Sequence, residues 1–76
     1  MINESEFLSF AAGVLGVPAA SVSRETACGT LPAWDSVMHL RLVMEVGAAY
    51  GVDIPLDRIP FVTTLGRLYD EVKERA

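Results

Sequence analysis

The segment from Ser36 to Tyr50 constrains the fold of this chain more than any other. Asp35 is a suitable N-cap and Gly51 a suitable stop, so the segment predicts a single α-helix. At about 100° per residue, its apolar side chains fall on two different sides of the helix. One side carries His39, Leu42, Val43, Val46 and Tyr50, and the other carries Val37, Leu40, Met44 and Ala48. A helix that is apolar on nearly all sides is normally buried on all sides.

A domain of 76 residues has room for only one small core, which makes complete burial of this helix difficult. We therefore expect one face of the helix to join the core and the other to meet a partner protein or a cargo molecule. Arg41 and Glu45 supply the only charges of the helix and lie four residues apart, on the strip between Ala48 and Met38.

A first helix is predicted over about residues 4–15. Asn3 and Glu6 have the spacing of a capping box, and Gly16 followed by Pro18 ends the helix. Its apolar residues repeat at helical spacing and are expected to face the core: Phe7, Phe10, Ala11, Val14 and Leu15.

A last helix is predicted to start after Thr63 or Thr64 and to reach about Glu74. Its inner face carries Leu65, Leu68, Tyr69 and Val72, and its solvated face carries Arg67, Asp70, Glu71, Glu74 and Arg75. Glu71 and Arg75 have the spacing and order of a helix-stabilising ion pair. We expect these charges to form a hydrated surface rather than a site.

Two connections join these helices. Residues 17–35 contain many loop-forming residues and no alternating strand pattern, so an irregular segment is expected, and its length is typical of a functional or topologically required loop. After the second helix, one helical turn is predicted at about Asp57–Phe61, interrupted by Pro60. The apolar residues expected to close the end of the core there are Ile54, Ile59, Phe61 and Val62.

Together these elements predict an all-α fold. The expected architecture is a small four-helix bundle, made of three main helices plus one short helix, with a long loop after the first helix. Residues 1–76 are expected to form a single domain, since the sequence has no internal repeat and no low-complexity tract.

The composition argues against several functions. The net charge is −4 and the six basic residues are scattered, so nucleic-acid binding is not expected. Cys28 is the only cysteine and His39 the only histidine, which leaves no internal disulfide and no ligand set for a metal such as zinc. We expect Cys28 to pack as a small buried hydrophobe, a reactive thiol being the alternative.

The chain starts Met-Ile-Asn-Glu-Ser-Glu, without the basic start and apolar run of a signal peptide. No stretch approaches the length of a membrane span. The sequence therefore predicts a cytoplasmic protein that makes no membrane contact, and we expect a monomer.

Catalysis is not expected. Ser36 and His39 lie three residues apart on one helix, so their side chains could approach each other. The chain nevertheless lacks the Gly-x-Ser-x-Gly motif of a nucleophile elbow and a glycine-rich oxyanion loop, and little chain remains to build a pocket. We expect His39 to be a core histidine near Trp34 rather than a proton donor.

Ser36 is instead suited to carry a phosphate ester. A serine in the first turn of a helix has its hydroxyl close to unpaired backbone N–H groups and to the positive end of the helix dipole. Both stabilise negative charge without a basic side chain. Taken alone, a serine or aspartate at a helix start is most often only a cap.

The motif around Ser36 resembles the acyl carrier protein family. Asp-Ser-Val at residues 35–37 and Tyr-Gly-Val-Asp-Ile-Pro at residues 50–55 are similar to the family's Asp-Ser-Leu and aromatic-Gly-x-x-Ile-Pro motifs, which lie on either side of an amphipathic helix. Thr-Thr-Leu at residues 63–65 and the overall length also fit. The pattern Trp-Asp-Ser-x-x-His-Leu at residues 34–40 resembles stand-alone carriers of specialised pathways, including those served by dedicated ligases, more than the general fatty-acid carrier.

This resemblance implies a function for the motif. In that family the serine carries a 4′-phosphopantetheine arm, which a phosphopantetheinyl transferase adds and whose thiol holds the cargo as a thioester. The resemblance assigns the attachment point to Ser36 and the neighbouring acid, which helps the transferase bind or place its metal, to Asp35. It also implies a four-helix bundle with a short third helix. The partners that it implies are acyl or aminoacyl ligases, synthases and transferases of fatty-acid, polyketide or specialised metabolism.

Partner enzymes are expected to dock on the outer face of the second helix, at Val37, Leu40, Arg41 and Met44. Arg41 takes a position that is often acidic in the family, and the small residues at positions 47–49 replace a run of acids. Recognition is therefore expected to depend more on apolar shape than on charge. The small residues could open space for cargo inside the bundle or serve a packing contact.

Two other functions are compatible with the sequence. An unmodified helical adaptor would bind a partner through the exposed apolar face of the second helix and would not need the Ser36 hydroxyl. A hydrolase that uses Ser36 would react with a serine-directed fluorophosphonate probe, and we expect no such reaction.

Overall fold

The computed structural model describes residues 3–76, so Met1 and Ile2, part of the predicted single domain, lie outside the described residues. Three α-helices form the fold: α1 (Glu4–Leu15), α2 (Ser36–Tyr50) and α3 (Leu65–Arg75). Two short 3₁₀ helices lie in the connections, the first at Ala19–Ser21 and the second at Leu56–Phe61. No β-strand forms within residues 3–76, where two isolated bridges are the only β-type pairing. The predicted all-α bundle of three main helices and a short one is confirmed.

Local capping residues set the helix starts. The Asn3 Oδ1 atom accepts a hydrogen bond from the Glu6 amide at 3.1 Å, and the Thr64 Oγ1 atom accepts one from the Arg67 amide at 3.1 Å. Thr64 rather than Thr63 is therefore the cap of α3, and that helix ends one residue beyond the predicted Glu74. A cap of this kind stabilises a helix by about 1 kcal/mol.

Glycines end the first two α-helices. Gly16 and Gly51 adopt left-handed backbone conformations with φ of 75° and 67°. This conformation is strained for other residues and lets the chain leave the helix while it still satisfies the last carbonyls. The predicted bounds of α1 and α2 are thereby confirmed.

One hydrophobic core lies between the three helices. Its fully buried large side chains are Phe7, Trp34, Leu42, Val46, Val62, Leu65, Leu68 and Val72. The predicted inner faces of α1 and α3 are confirmed, although Phe10 and Val14 are only partly buried. Within residues 3–76 no helix combines the length and the apolar character needed to cross a membrane.

The long connection between α1 and α2 is irregular, as predicted, apart from the first 3₁₀ helix. It is tied to the start of α3 by backbone hydrogen bonds from Leu65 to Thr26 at 3.0 Å and from Gly66 to Arg24 at 2.8 Å. The Arg24 side chain also pairs with Glu4 and Asp70, which joins α1 to α3. The loop is therefore a packed part of the fold.

Three expectations about burial need correction. Phe61 was expected in the core but is 57% exposed, because the second 3₁₀ helix turns its ring outward, where the Arg58 guanidinium lies over it. Glu71 was expected in solvent but is only 7% exposed, since Arg58 and Arg75 cover it. Cys28 is half-buried rather than buried and packs against the edge of the core.

Candidate functional site

Ser36 is the first residue of α2, and it is exposed. Asp35 precedes it as the N-cap, in extended conformation, and its Oδ1 atom accepts the Met38 amide hydrogen at 2.8 Å. The first amides of an α-helix have no acceptor inside the helix. The N–H groups of Ser36 and Val37 are such amides, and they lie at the same end of α2 as the Ser36 side chain. A phosphate ester on Ser36 would meet these donors and the positive end of the helix dipole.

The chain that leads into Ser36 is held by Trp34, which is fully buried although it belongs to a loop. Its backbone N–H donates to the Leu31 carbonyl at 2.9 Å, and its carbonyl accepts from the Gly29 amide at 2.9 Å. Gly29 has a φ of 93°, a conformation available to glycine. Ser36 therefore follows a fixed segment rather than a free loop.

His39 is buried, with 6% of its surface exposed, and it contacts Trp34 as predicted. The Trp34 indole Nε1–H donates to the His39 Nδ1 atom at 3.1 Å, and the His39 Nε2 atom lies 2.9 Å from the Ile59 carbonyl oxygen. Both ring nitrogens are thus engaged with groups other than Ser36. The structure does not bring Ser36 and His39 together as a nucleophile and base.

The outer face of α2 carries an apolar row of exposed side chains, Val37, Leu40 and Met44, with exposed fractions of 78%, 45% and 65%. The opposite face is buried through His39, Leu42, Val43 and Val46. The two-faced helix expected from the sequence is therefore present. Large apolar side chains exposed in a contiguous row commonly mark an interaction surface.

Arg41, also predicted to contact partners, is exposed beside this row. Its Nε atom lies 3.7 Å from a Glu45 carboxylate oxygen, one helical turn away. Exposed pairs of this kind contribute little to stability and leave the local charge nearly neutral. The apolar row is therefore flanked by an ion pair whose charges cancel, rather than by a block of acidic residues.

A groove of about 440 Å³ separates α2 from the second 3₁₀ helix. Its lining includes Leu40, Val43 and Met44 from α2, and Leu56 and Ile59 from the 3₁₀ helix. Leu56 is 79% exposed and was not among the predicted site residues. No sequence pattern identifies it, because the short 3₁₀ segment has no periodicity long enough to separate its faces.

Gly47 lines the same groove near the end of α2. A Cβ atom at this position would lie 2.9 Å from the Val52 carbonyl oxygen, and the Val52 amide donates to the Gly47 carbonyl at 3.0 Å. The space beside Gly47 is thus filled by the returning backbone, while Ala48 and Ala49 are exposed. This favours the packing explanation for these small residues over an opening into the bundle.

Glu71 attaches the second 3₁₀ helix to α3. Its carboxylate accepts hydrogen bonds from Arg58 at 3.0 Å and from Arg75 at 2.7 Å. The hydrogen bond from Arg58, followed by that from Arg75, holds the pKa of Glu71 below its usual value, and the same contact raises the pKa of Arg58. One wall of the groove is thereby fixed electrostatically.

Within the described part of the chain, no three His, Cys, Asp or Glu side chains are grouped so as to hold a metal ion. Neither a scan against protein-family models nor a search of curated proteins found a match to this chain. The similarity to the acyl carrier proteins is therefore a resemblance of sequence motifs.

Proposed function

We propose that this chain is a discrete acyl or aminoacyl carrier protein that bears 4′-phosphopantetheine on Ser36. One observation carries the proposal: exposed Ser36 begins α2 directly after the capping Asp35, at the end of an exposed apolar row on a helix whose other face is core. The chain needs no catalytic machinery of its own for this function. Cytoplasmic location and a monomeric state belong to the same proposal.

In the attachment step, the Ser36 Oγ atom attacks the pantetheine-side phosphorus of the pyrophosphate in coenzyme A. The Oγ–P bond forms, the P–O bond to the adenosine 3′,5′-bisphosphate leaving group breaks, and the hydroxyl proton goes to a base of the transferase. When bound, the arm supplies a terminal thiol that holds the cargo as a thioester. The amides of Ser36 and Val37 stabilise the phosphodiester charge, by about 0.3–1 kcal/mol from the dipole.

Transfer enzymes would dock on the apolar row beside Ser36. A carrier must be released after each step, so a small interface of exposed side chains suits it better than a large one. The tether raises the effective concentration of the cargo at each docked enzyme, which compensates for weak binding. Because Arg41 is paired with Glu45, charge steering is expected to be modest.

The direct test is to incubate the purified protein with coenzyme A and a broad-specificity phosphopantetheinyl transferase, and then to measure its intact mass. We expect a gain of one phosphopantetheine group, absent in Ser36→Ala and retained in Ser9→Ala, an exposed serine of α1 that serves as the matched control. An unchanged wild-type mass, or a gain that persists in Ser36→Ala, would exclude the proposal.

The second candidate is an unmodified helical adaptor, favoured by the same exposed row together with Leu56 across the groove. It predicts that Ser36→Ala leaves partner binding intact while Met44→Glu abolishes it. The carrier proposal predicts that both substitutions impair function, since one removes the attachment point and the other the docking face.

A further inference from the structure

The His39 side chain makes two hydrogen bonds, one to the segment that precedes α2 in the sequence and one to the segment that follows it. The Trp34 indole nitrogen, two residues before Ser36, lies 3.1 Å from Nδ1, and the Ile59 carbonyl oxygen lies 2.9 Å from Nε2. The ring is almost completely buried, and the bond to Trp34 is buried with it, while the bond to Ile59 is partly buried.

The chemistry of the two partners fixes the form of the ring. An indole N–H can only donate, so Nδ1 must carry a free lone pair, and a backbone carbonyl can only accept, so Nε2 must carry the hydrogen. The neutral Nε2–H tautomer alone satisfies both. The other tautomer and the doubly protonated ring each place two donors against each other at Trp34.

These two bonds connect His39 to the segment before Ser36 and to the groove next to the apolar row. Trp34 holds the backbone that leads into Ser36 through its own bonds to Leu31 and Gly29. Ile59 belongs to the second 3₁₀ helix, which forms the wall of the groove opposite α2 and carries exposed Leu56. One imidazole therefore contacts both the segment that leads into Ser36 and the wall of the groove that carries Leu56.

We propose that His39 is a positioning residue for the modification of Ser36. Its bond to Trp34 fixes the direction in which Ser36 is presented, and its bond to Ile59 fixes the part of the docking surface that includes Leu56. His39 acts through these two segments and does not itself contact the reacting atoms. The proposal rests on the carrier function proposed above.

Two substitutions separate the two bonds. In His39→Asn the Oδ1 atom lies near the former Nδ1 position and can accept from Trp34, but the side chain is too short to reach Ile59. In His39→Gln the terminal amide can donate to the Ile59 carbonyl, but no acceptor remains at the Nδ1 position. His39→Leu removes both bonds and keeps an apolar side chain in the core.

The measurement is the steady-state rate of Ser36 modification with coenzyme A and a broad-specificity transferase, at a temperature where every variant is folded by circular dichroism. We expect His39→Asn to raise the KM for this protein as the transferase substrate roughly three- to tenfold, with kcat nearly unchanged, because only the docking surface shifts. We expect His39→Gln to lower kcat by a similar factor with KM nearly unchanged, because only the presentation of Ser36 is loosened. His39→Leu should show both effects.

Val46→Ala is the matched control, since it destabilises the same helix from a fully buried position without touching either bond. Its kcat and KM should match those of the wild type. If the wild type is modified but the His39 variants also keep wild-type kcat and KM, or if Val46→Ala reproduces their changes, His39 is only a core residue and the positioning proposal is wrong. If the wild type takes up no phosphopantetheine, the carrier proposal itself fails.

Discussion

At the residue scale, the contact between Trp34 and His39 links a buried loop residue to the first turn of α2. Both side chains are almost fully buried, and each satisfies a polar atom of the other that would otherwise be buried without a partner. An unpaired buried polar group costs more than a formed hydrogen bond contributes. The pair therefore stabilises the segment that leads into Ser36 mainly by avoiding that penalty.

Trp34→Phe is expected to lower the free energy of unfolding by about 2–4 kcal/mol, because the His39 Nδ1 atom loses its donor and the core loses volume. Urea denaturation followed by circular dichroism measures the change. In a His39→Leu background the same substitution should cost less, since no acceptor remains to be orphaned. Equal costs in the two backgrounds would mean that the hydrogen bond does not contribute.

At the element scale, the second 3₁₀ helix and the long first loop both depend on α3. Arg58 bonds to buried Glu71 and holds the 3₁₀ helix, while the Gly66 amide bonds to the Arg24 carbonyl and holds the loop. These contacts fix the groove wall on one side and the start of α3 on the other. A substitution that breaks either contact is therefore expected to loosen a whole segment rather than one side chain.

Glu71→Gln is expected to lower the stability by about 1–2 kcal/mol at neutral pH, through weaker hydrogen bonds to Arg58 and Arg75. Because folding lowers the pKa of Glu71, its contribution is present above the ordinary glutamate pKa of 4.5. It is lost as the pH falls through the lowered value of the folded state. Denaturation curves at several pH values should therefore converge for wild type and variant in acid, whereas Glu74→Gln, at an exposed position of the same helix, should change the stability little at neutral pH.

Gly66→Ala and Gly13→Ala form a matched pair of helical glycine substitutions. At Gly66 a Cβ atom would lie 2.9 Å from the Arg24 carbonyl oxygen, so we expect a loss of about 1–3 kcal/mol. At Gly13 the space is open, and alanine should raise stability by about 0.5–1 kcal/mol through helix propensity. Thermal denaturation of both variants tests the difference, and a stabilising Gly66→Ala would contradict the close packing of the loop on α3.

At the scale of the whole molecule, a 76-residue chain has used one face of α2 for its core and left the other exposed. The core closes with Trp34 from the loop and Val62 from the segment before α3, so it needs no contribution from the apolar row. The residues of α2 that stabilise the fold are therefore different from those of the proposed docking face. The two properties should respond separately to substitution.

Met44→Glu is expected to change the free energy of unfolding by less than about 0.5 kcal/mol, because Met44 is 65% exposed. Under the carrier proposal it should lower kcat/KM for Ser36 modification roughly tenfold, since it places a charge in the proposed docking face. Ala49→Glu is the control: it adds the same charge to an exposed position of α2 that does not line the groove. Equal effects of the two substitutions would indicate a general response to charge.

The sequence alone predicts the helices and the position of Ser36 because local interactions decide them. Asn3, Asp35 and Thr64 each cap a helix through a bond to a residue three positions later, and Gly16 and Gly51 end helices through their own backbone freedom. Helical spacing likewise separates the two faces of α2, since α-helical periodicity does not depend on the rest of the chain.

Only the tertiary structure determined which residues that are far apart in the sequence contact each other. Glu71 is buried because Arg58, thirteen residues away, covers it, and Phe61 is exposed because the second 3₁₀ helix turns it outward. The contact between His39 and the Ile59 carbonyl depends on the position of the second 3₁₀ helix relative to α2. Such contacts depend on how separate segments pack, and no local pattern of residues encodes that. The sequence determined that Ser36 is the first residue of a helix, and tertiary packing determined the surface around Ser36.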